Sequence, residues 1–188
     1  MYVTEEMVAD MAARFGTPKR ARYSFPLNDR EQGLIRASLA KGRAHDFTLY
    51  VHHKGQLLVI AKHSYPHGLY RAPSGGLNPG EPFLDGIARE ALEETGCEIA
   101  IQRFALRTEV NFWAGTESLN WQSFVFEAAY VRGELLFTDK QEIREVRWAN
   151  PSEFETFSAM MRQTDVGGFH YRAALHDTVS ALLNIGAA

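Results

Sequence analysis

Apolar residues recur along this chain in two rhythms, one helical and one of period two. Between Thr4 and Gly16, the residues Val8, Met11, Ala12 and Phe15 share one helical face. Thr4 can cap that helix, Glu5 and Glu6 lie in its first turn where the dipole favours acids, and Gly16 can end it. Thr17-Pro18 and Phe25-Pro26 bracket a stretch that reads as irregular. Asn28 or Asp29 can cap a second helix, which is expected to bury Leu34, Ile35 and Leu39 and to end near Gly42. The rhythm then changes. FTLYVHH (47–53) and QLLVIAK (56–62), joined by Lys54-Gly55, read as a hairpin. Residues 98–110 and 119–131 predict two long strands with a loop from Phe112 to Ser118 between them, and 135–137 and 145–149 predict short ones. Helices are expected over 82–95 and from Pro151 to about Arg162. A last helix presents Ala173, Ala174, Val179, Leu182 and Leu183 on one side. Strands and helices are thus mixed, which predicts an α/β chain of the α+β type. The division is a helical extension over 1–46 followed by a main domain with C-terminal helices over 47–188.

Composition narrows the classes. The chain has 188 residues, 45% hydrophobic and 23% charged, as expected of a folded globular protein. No apolar run is long enough to span a bilayer, so no membrane partner is expected. The N-terminus does not read as a secretory signal and Cys97 is the only cysteine, so a cytoplasmic location is expected. The net charge of −3 argues against nucleic acid as a partner. That charge is uneven. Residues 14–43 hold eight basic residues, Arg14 to Arg43, against Asp29 and Glu31. Such a stretch reads first as a solvated face, and alternatively as a lip that attracts a polyanion or contacts a second subunit.

The chemistry concentrates in GGLNPGEPFLDGIAREALEETGC, residues 75–97. A Gly- and Pro-rich loop leads into a helix, with Pro82 suited to its first position and Gly96 to its end. Glu90, Glu93 and Glu94 differ by three and four positions and share one face. Leu84, Ile87, Ala88 and Ala91 form the opposite side. Arg89 can pair with Glu93 one turn on, leaving Glu90 and Glu94 without a counter-charge. Hard oxygen ligands clustered in this way suit Mg²⁺ or Mn²⁺, and only through a metal are they compatible with an anionic phosphate. Alone, however, three glutamates are as well explained by an exposed acidic face.

Their surroundings shift that balance. Gly75, Glu81, Arg89, Glu90, Glu93, Glu94 and Gly96 match, without gaps, the fixed positions of G-x5-E-x7-R-E-U-x-E-E-x-G-U. The segment therefore resembles the box of the Nudix hydrolase family, with Ala91 and Cys97 smaller than usual at the aliphatic positions. The resemblance extends over roughly 46–155. It implies the Nudix fold, a mixed β-sheet sandwiched between helices, and a Mg²⁺-dependent enzyme (with Mn²⁺ as an alternative) that hydrolyses a small-molecule diphosphate. It also implies roles. Glu90 and Glu94 would be the main metal ligands, Glu93 would bind metal or activate water, and the backbone carbonyl of Ser74 would add a further ligand. Arg89 would orient a glutamate. Glu81 would steady the loop and reach toward the metal shell. Gly75, Gly76 and Gly96 would have structural roles. An acid from outside the box is also expected, as ligand or base. Glu142 is the first choice, by its distance from Trp148, and Glu117 the second.

Substrate contacts are expected from Tyr65, His67 and Arg71 on the loop before the box and from Phe112 and Trp113 on the other side. Tyr70 reads as core, and His52 and His53 as structural or solvent-facing. Cys97, at a core position, disfavours an isomerase of the isopentenyl-diphosphate type. The markers of the NADH, ADP-ribose and coenzyme A branches are missing. The expected reaction is hydrolysis of a nucleoside diphosphate linked to another moiety: a nucleotide sugar, ADP-ribose or a dinucleoside polyphosphate. A sanitising (d)NTP pyrophosphohydrolase is the alternative enzyme, and a Nudix-fold ligand sensor with little catalysis the alternative of another class. The extension has no evident role in a hydrolase core, which raises a homodimer through it as an expectation.

Overall fold

Residues 2–185 are described in a computed structural model. In chain order the elements are α1 (Glu5–Phe15), β1 (Lys19–Pro26), α2 (Asp29–Ala40), β2 (His45–His53), β3 (Gln56–Lys62), β4 (Ser74–Gly75) and α3 (Phe83–Thr95). They continue with β5 (Cys97–Ala114), β6 (Glu117–Gly133), β7 (Ile143–Ala149), α4 (Glu153–Arg162) and α5 (Gly167–Leu183). The strands make one mixed sheet in the order β1-β5-β6-β2-β3-β7, with β4 paired to β2. β1 runs parallel to β5 and β2 parallel to β6, while β5–β6 and β3–β7 are antiparallel.

Alternation along the strands divides the core in two. Leu49, Val51, Phe124 and Phe126 face α1 and α3, which bring Val8, Met11, Phe83, Ile87 and Ala91. Their neighbours Tyr50 and Val125, with Leu57 and Val59, face Phe154 and Phe157 of α4 and Tyr171, Leu175 and Val179 of α5. Helices thus cover both faces, as the mixed-sheet expectation required. A sheet buried on both sides needs apolar residues at both parities, and 47–51 and 57–61 supply them.

Several local expectations are corrected. The stretch 19–26 is a strand, with eight residues in parallel register against Leu106–Trp113. Its alternation RARYSF has charged residues on the exposed side, so it looks irregular until a partner strand is present. Asn28 does cap α2, in a capping box with Glu31. Ile35 and Leu39 pack against the core, but Leu34 is 65% exposed. On α3, Ala88 also faces out. The loop expected at 112–118 is a tight hairpin, because the ladder runs on through Trp113↔Ser118 and Ala114↔Glu117. No strand forms at 135–137. The backbone N–H groups of Thr138 and Asp139 instead donate to the Glu93 carbonyl at the end of α3, at 2.9 and 3.1 Å.

The extension has a place within the chain. α1 covers the sheet, β1 lengthens it, and α2 lies along the tip of the β5–β6 hairpin through Glu117, which accepts from Gln32 and Arg36. The reason for assigning these helices to a dimer interface therefore falls away. No helix among the described residues is long and apolar enough to cross a membrane.

Candidate active site

The hairpin β2–β3 is paired only at His52↔Leu57 and His53↔Gln56. Beyond that point the strands part and residues 71–75 enter between them. Arg71 exchanges backbone bonds with Ile60 of β3 (2.8 and 3.0 Å), the Pro73 carbonyl accepts from Leu49, and Ser74-Gly75 pairs with Thr48-Phe47. This insertion brings the glycine-rich loop to the face of α3. Pro82 sits at the N-cap, one place earlier than expected, and Gly96 ends the helix in the left-handed region at φ 73°.

Arg89 organises the loop and helix. It donates to both Glu81 oxygens (2.8 and 2.9 Å), to the Gly76 carbonyl (3.0 Å) and to Glu93 (3.1 Å), and it lies 3.0 Å from Glu90. Glu81 also accepts from the Asn78 N–H at 2.8 Å. The Arg89 hydrogen bond, opposed by burial and aided by Asn78, holds the Glu81 carboxyl below its ordinary range. Glu81 therefore fixes the loop, and it does not line the cleft it was expected to reach. Glu90 is not left without a counter-charge either, since Arg89 serves it as well as Glu93.

The cleft has a volume of about 490 Å³ and is lined by Ser74, Gly75, Gly76, Glu90, Glu93, Glu94 and Glu142 among others. Glu94 lies at its floor, only 4% exposed, rather than facing solvent. It accepts from the Ser74 N–H at 3.1 Å, and Lys62 Nζ is 3.9 Å away. Burial pushes its carboxyl up to about 7, against the pull of Arg71 and Lys62. Glu90 accepts from the Gly76 N–H at 3.3 Å, and a Cβ on Gly75 would overlap its carboxylate, with Oε2 at 2.7 Å. Glycine at 75 is thus a requirement of space.

These residues fit a hard divalent cation. Among the described residues no three acidic or imidazole side chains converge as a ready cage. Mg²⁺ does not need one, because it keeps waters and takes one or two carboxylates with the rest supplied by phosphate. Four glutamates and two aspartates line one cleft, and the most buried of them, Glu94, has one backbone donor, the charge of Arg71 and a distant ammonium as its compensation.

Outside the box, the two candidate acids separate. Glu142 lines the cleft and pairs with Lys62. Glu117 is held by Gln32 and Arg36 on α2, away from the cleft. Tyr65 and Arg71 reach the cleft, but Arg71 is 3% exposed and donates to the Tyr65 hydroxyl (2.6 Å), the Ala72 carbonyl (2.8 Å) and Ser74 Oγ (2.7 Å). Its first duty is to hold the loop. His67 is exposed and does not line the cleft. Phe112 is a correction: it is buried against Tyr171 and cannot touch a ligand. Trp113, exposed near the hairpin tip, also lies outside the cleft, since β5 continues where a loop was expected. Tyr70 is core, and His53 packs against Tyr130 and Trp148.

Sequence reasoning missed Arg43, Asp46, Lys62, Trp121, Asp139 and Arg172, which also line the cleft. Arg172 comes from α5, 75 residues beyond the end of the box at Cys97. Its guanidinium pairs with Asp46 and donates to Thr48 Oγ1 at 2.8 Å and Ser74 Oγ at 3.3 Å. Arg43 is the one member of the basic stretch to arrive here, over Gly76. Only the idea of a basic lip hinted at it.

Comparison with known proteins agrees with this geometry. The NUDIX domain family profile matches residues 44–166. A Bacillus subtilis (strain 168) protein named "Putative 8-oxo-dGTP diphosphatase" is 24% identical over 123 residues, covering 65% of this chain and 76% of that protein. A solved NUDIX hydrolase from Nitrosomonas europaea superposes with a TM-score of 0.54 at 18% identity, covering 73% of this chain and 90% of that one.

Proposed function

The chain belongs to the Nudix hydrolase family, enzymes that cleave diphosphate linkages with a divalent metal, and from that premise we propose that it hydrolyses a nucleoside diphosphate linked to a second moiety. One observation carries this reading. A single cleft sets four glutamates, Glu90, Glu93, Glu94 and Glu142, beside the cations of Arg43, Lys62, Arg71 and Arg172. The acids suit a metal, and the cations suit phosphate oxygens that the metal leaves unpaired.

The proposed ion is Mg²⁺, with Mn²⁺ able to replace it. Glu90, Glu94, Glu93 and the Ser74 carbonyl would hold it, with Glu142 at the open side. When bound, the ion supplies charge neutralisation and Lewis acidity at the diphosphate. Arg89 keeps Glu90 and Glu93 in register through their shared guanidinium. Lys62, between Glu94 and Glu142, moderates the repulsion of two neighbouring carboxylates. Glu142 takes the proton from water as its oxygen bonds to phosphorus. The bridging P–O bond breaks, and the bridging oxygen leaves with the second phosphate.

The test is turnover with Mg²⁺ against a panel of nucleotide sugars, ADP-ribose, dinucleoside polyphosphates and (d)NTPs, products identified. Glu94→Gln is expected to keep its fold and lose at least a hundredfold in turnover (about 2.7 kcal/mol of barrier) together with metal affinity. No turnover of any compound, with Glu94→Gln binding metal as wild type does, would overturn the reading. The name of the Bacillus subtilis relative favours a second reading, a (d)NTP pyrophosphohydrolase, and the same panel separates the two.

A further inference from the structure

A second cavity of about 510 Å³ lies beside the catalytic cleft, and Tyr65 and Arg172 line both. Three segments build it. Asn28, Arg30, Glu31 and Leu34 come from α2 and its cap, Ser64 and Tyr65 from the loop after β3, and Asp165 to Phe169 from the entry to α5. The walls are fastened together. Glu31 accepts from the N–H groups of Gly167 (3.0 Å) and Gly168 (2.7 Å) and from its own cap residue Asn28 (3.1 Å). The N-terminus of α5 is thereby already supplied with a carboxylate, so this cavity is not made for a second phosphate.

Its lining suits a flat ring with polar edges. Tyr65 and Phe169 pack edge to face at 4.9 Å, and Leu34 stands across from them on α2 with most of its surface open. An exposed leucine on a concave wall is the residue that the helical pattern had assigned to the core. Around these apolar groups stand Arg30, Ser64 and the Asp165 carboxylate, which have no ion pair or side-chain hydrogen bond among the described residues. Apolar surface for stacking with a few polar groups at the edge is the general make-up of a site for a nucleobase.

We propose that this cavity holds the base of the nucleoside whose diphosphate occupies the catalytic cleft, so that α2 of the N-terminal extension is a specificity wall. The proposal rests on the diphosphate reading of that cleft. Because Tyr65 and Arg172 line both cavities, a ligand whose diphosphate lies among Glu90, Glu94 and Arg172 has the second cavity next to it across that shared wall.

The experiment uses non-hydrolysable probes, so it does not depend on turnover. The methylene-bridged analogues of ADP and UDP, and methylenediphosphonate as the base-free control, are titrated with Mg²⁺ into the wild-type protein and Leu34→Asp by calorimetry. At least one nucleoside analogue is expected to bind tenfold or more tightly than the control, since stacking of the base adds to the affinity of the diphosphate. Leu34→Asp, at a position open enough to leave the fold intact, is expected to erase most of that difference and leave the control unchanged. If nucleoside analogues and control bind alike to wild type, or if the difference survives Leu34→Asp, this proposal fails while the cleft reading stands. If Leu34→Asp weakens all three probes alike, the proposal fails too. If the control does not bind in the presence of Mg²⁺, the diphosphate reading itself fails and takes this one with it.

Discussion

Replacing Arg89 with methionine keeps the stem of the side chain and removes the charge that joins loop to helix. Five contacts disappear at once: two to Glu81, one each to Glu93 and the Gly76 carbonyl, and the approach to Glu90. Removing one partner of a buried pair costs about 3–5 kcal/mol. Here the side chains keep 26% (Arg89) and 15% (Glu81) of their surface in water, which recovers part of that cost, so we expect about 2–3 kcal/mol. In a domain of this size that lowers Tm by roughly 5–10 °C. The assay is urea unfolding in EDTA, which removes any contribution of metal. The sign with pH follows from Glu81. Its folded pKa lies below the unfolded value near 4.5, because Arg89 donates to it. The stabilisation is complete above that value and is lost as pH falls through the folded pKa. The gap between wild type and Arg89→Met should therefore be widest at pH 7 and narrow at acid pH. Arg89→Lys keeps a charge without the fork and should recover less than half of the loss. An equal gap at pH 7 and pH 3.5, or a gap under about 0.5 kcal/mol at pH 7, would refute the reasoning.

Further outcomes are expected. Gly96→Ala puts a Cβ at a left-handed φ and 2.5 Å from the Leu136 backbone nitrogen, so chemical denaturation should show a loss of about 2–3 kcal/mol. Glu142→Gln should lower kcat at least tenfold, about 1.4 kcal/mol of barrier, with the pH–rate profile altered. Glu117→Ala, which touches only α2, should leave kcat as in wild type; a collapse of kcat there instead would reverse the two assignments.

The box was legible because its information is local. Spacings of three and four put Glu90, Glu93 and Glu94 on one helical face whatever the rest of the chain does, and Gly96 needs only its own φ to end the helix. The same holds for strands with strong period-two patterns, such as 56–62, and for the cap at Asn28. What the sequence by itself determined was therefore the family, the mixed sheet between helices, and the acidic face of α3. Tertiary structure alone decided where each pattern was used. A polar, alternating segment such as 19–26 is a strand only because β5 offers it an edge. Phe112 and Trp113 follow a ladder past the point where local signals suggest a loop. Leu34, apolar on a helix, lies open on the wall of a cavity that it shares with the entry to α5. Arg172 and Arg43 enter the cleft from segments far apart in the chain, and no spacing records that meeting. Hydrophobic periodicity encodes which face of an element is apolar, while the neighbour that covers it, and the charges gathered at its edge, arise only when the sheet closes.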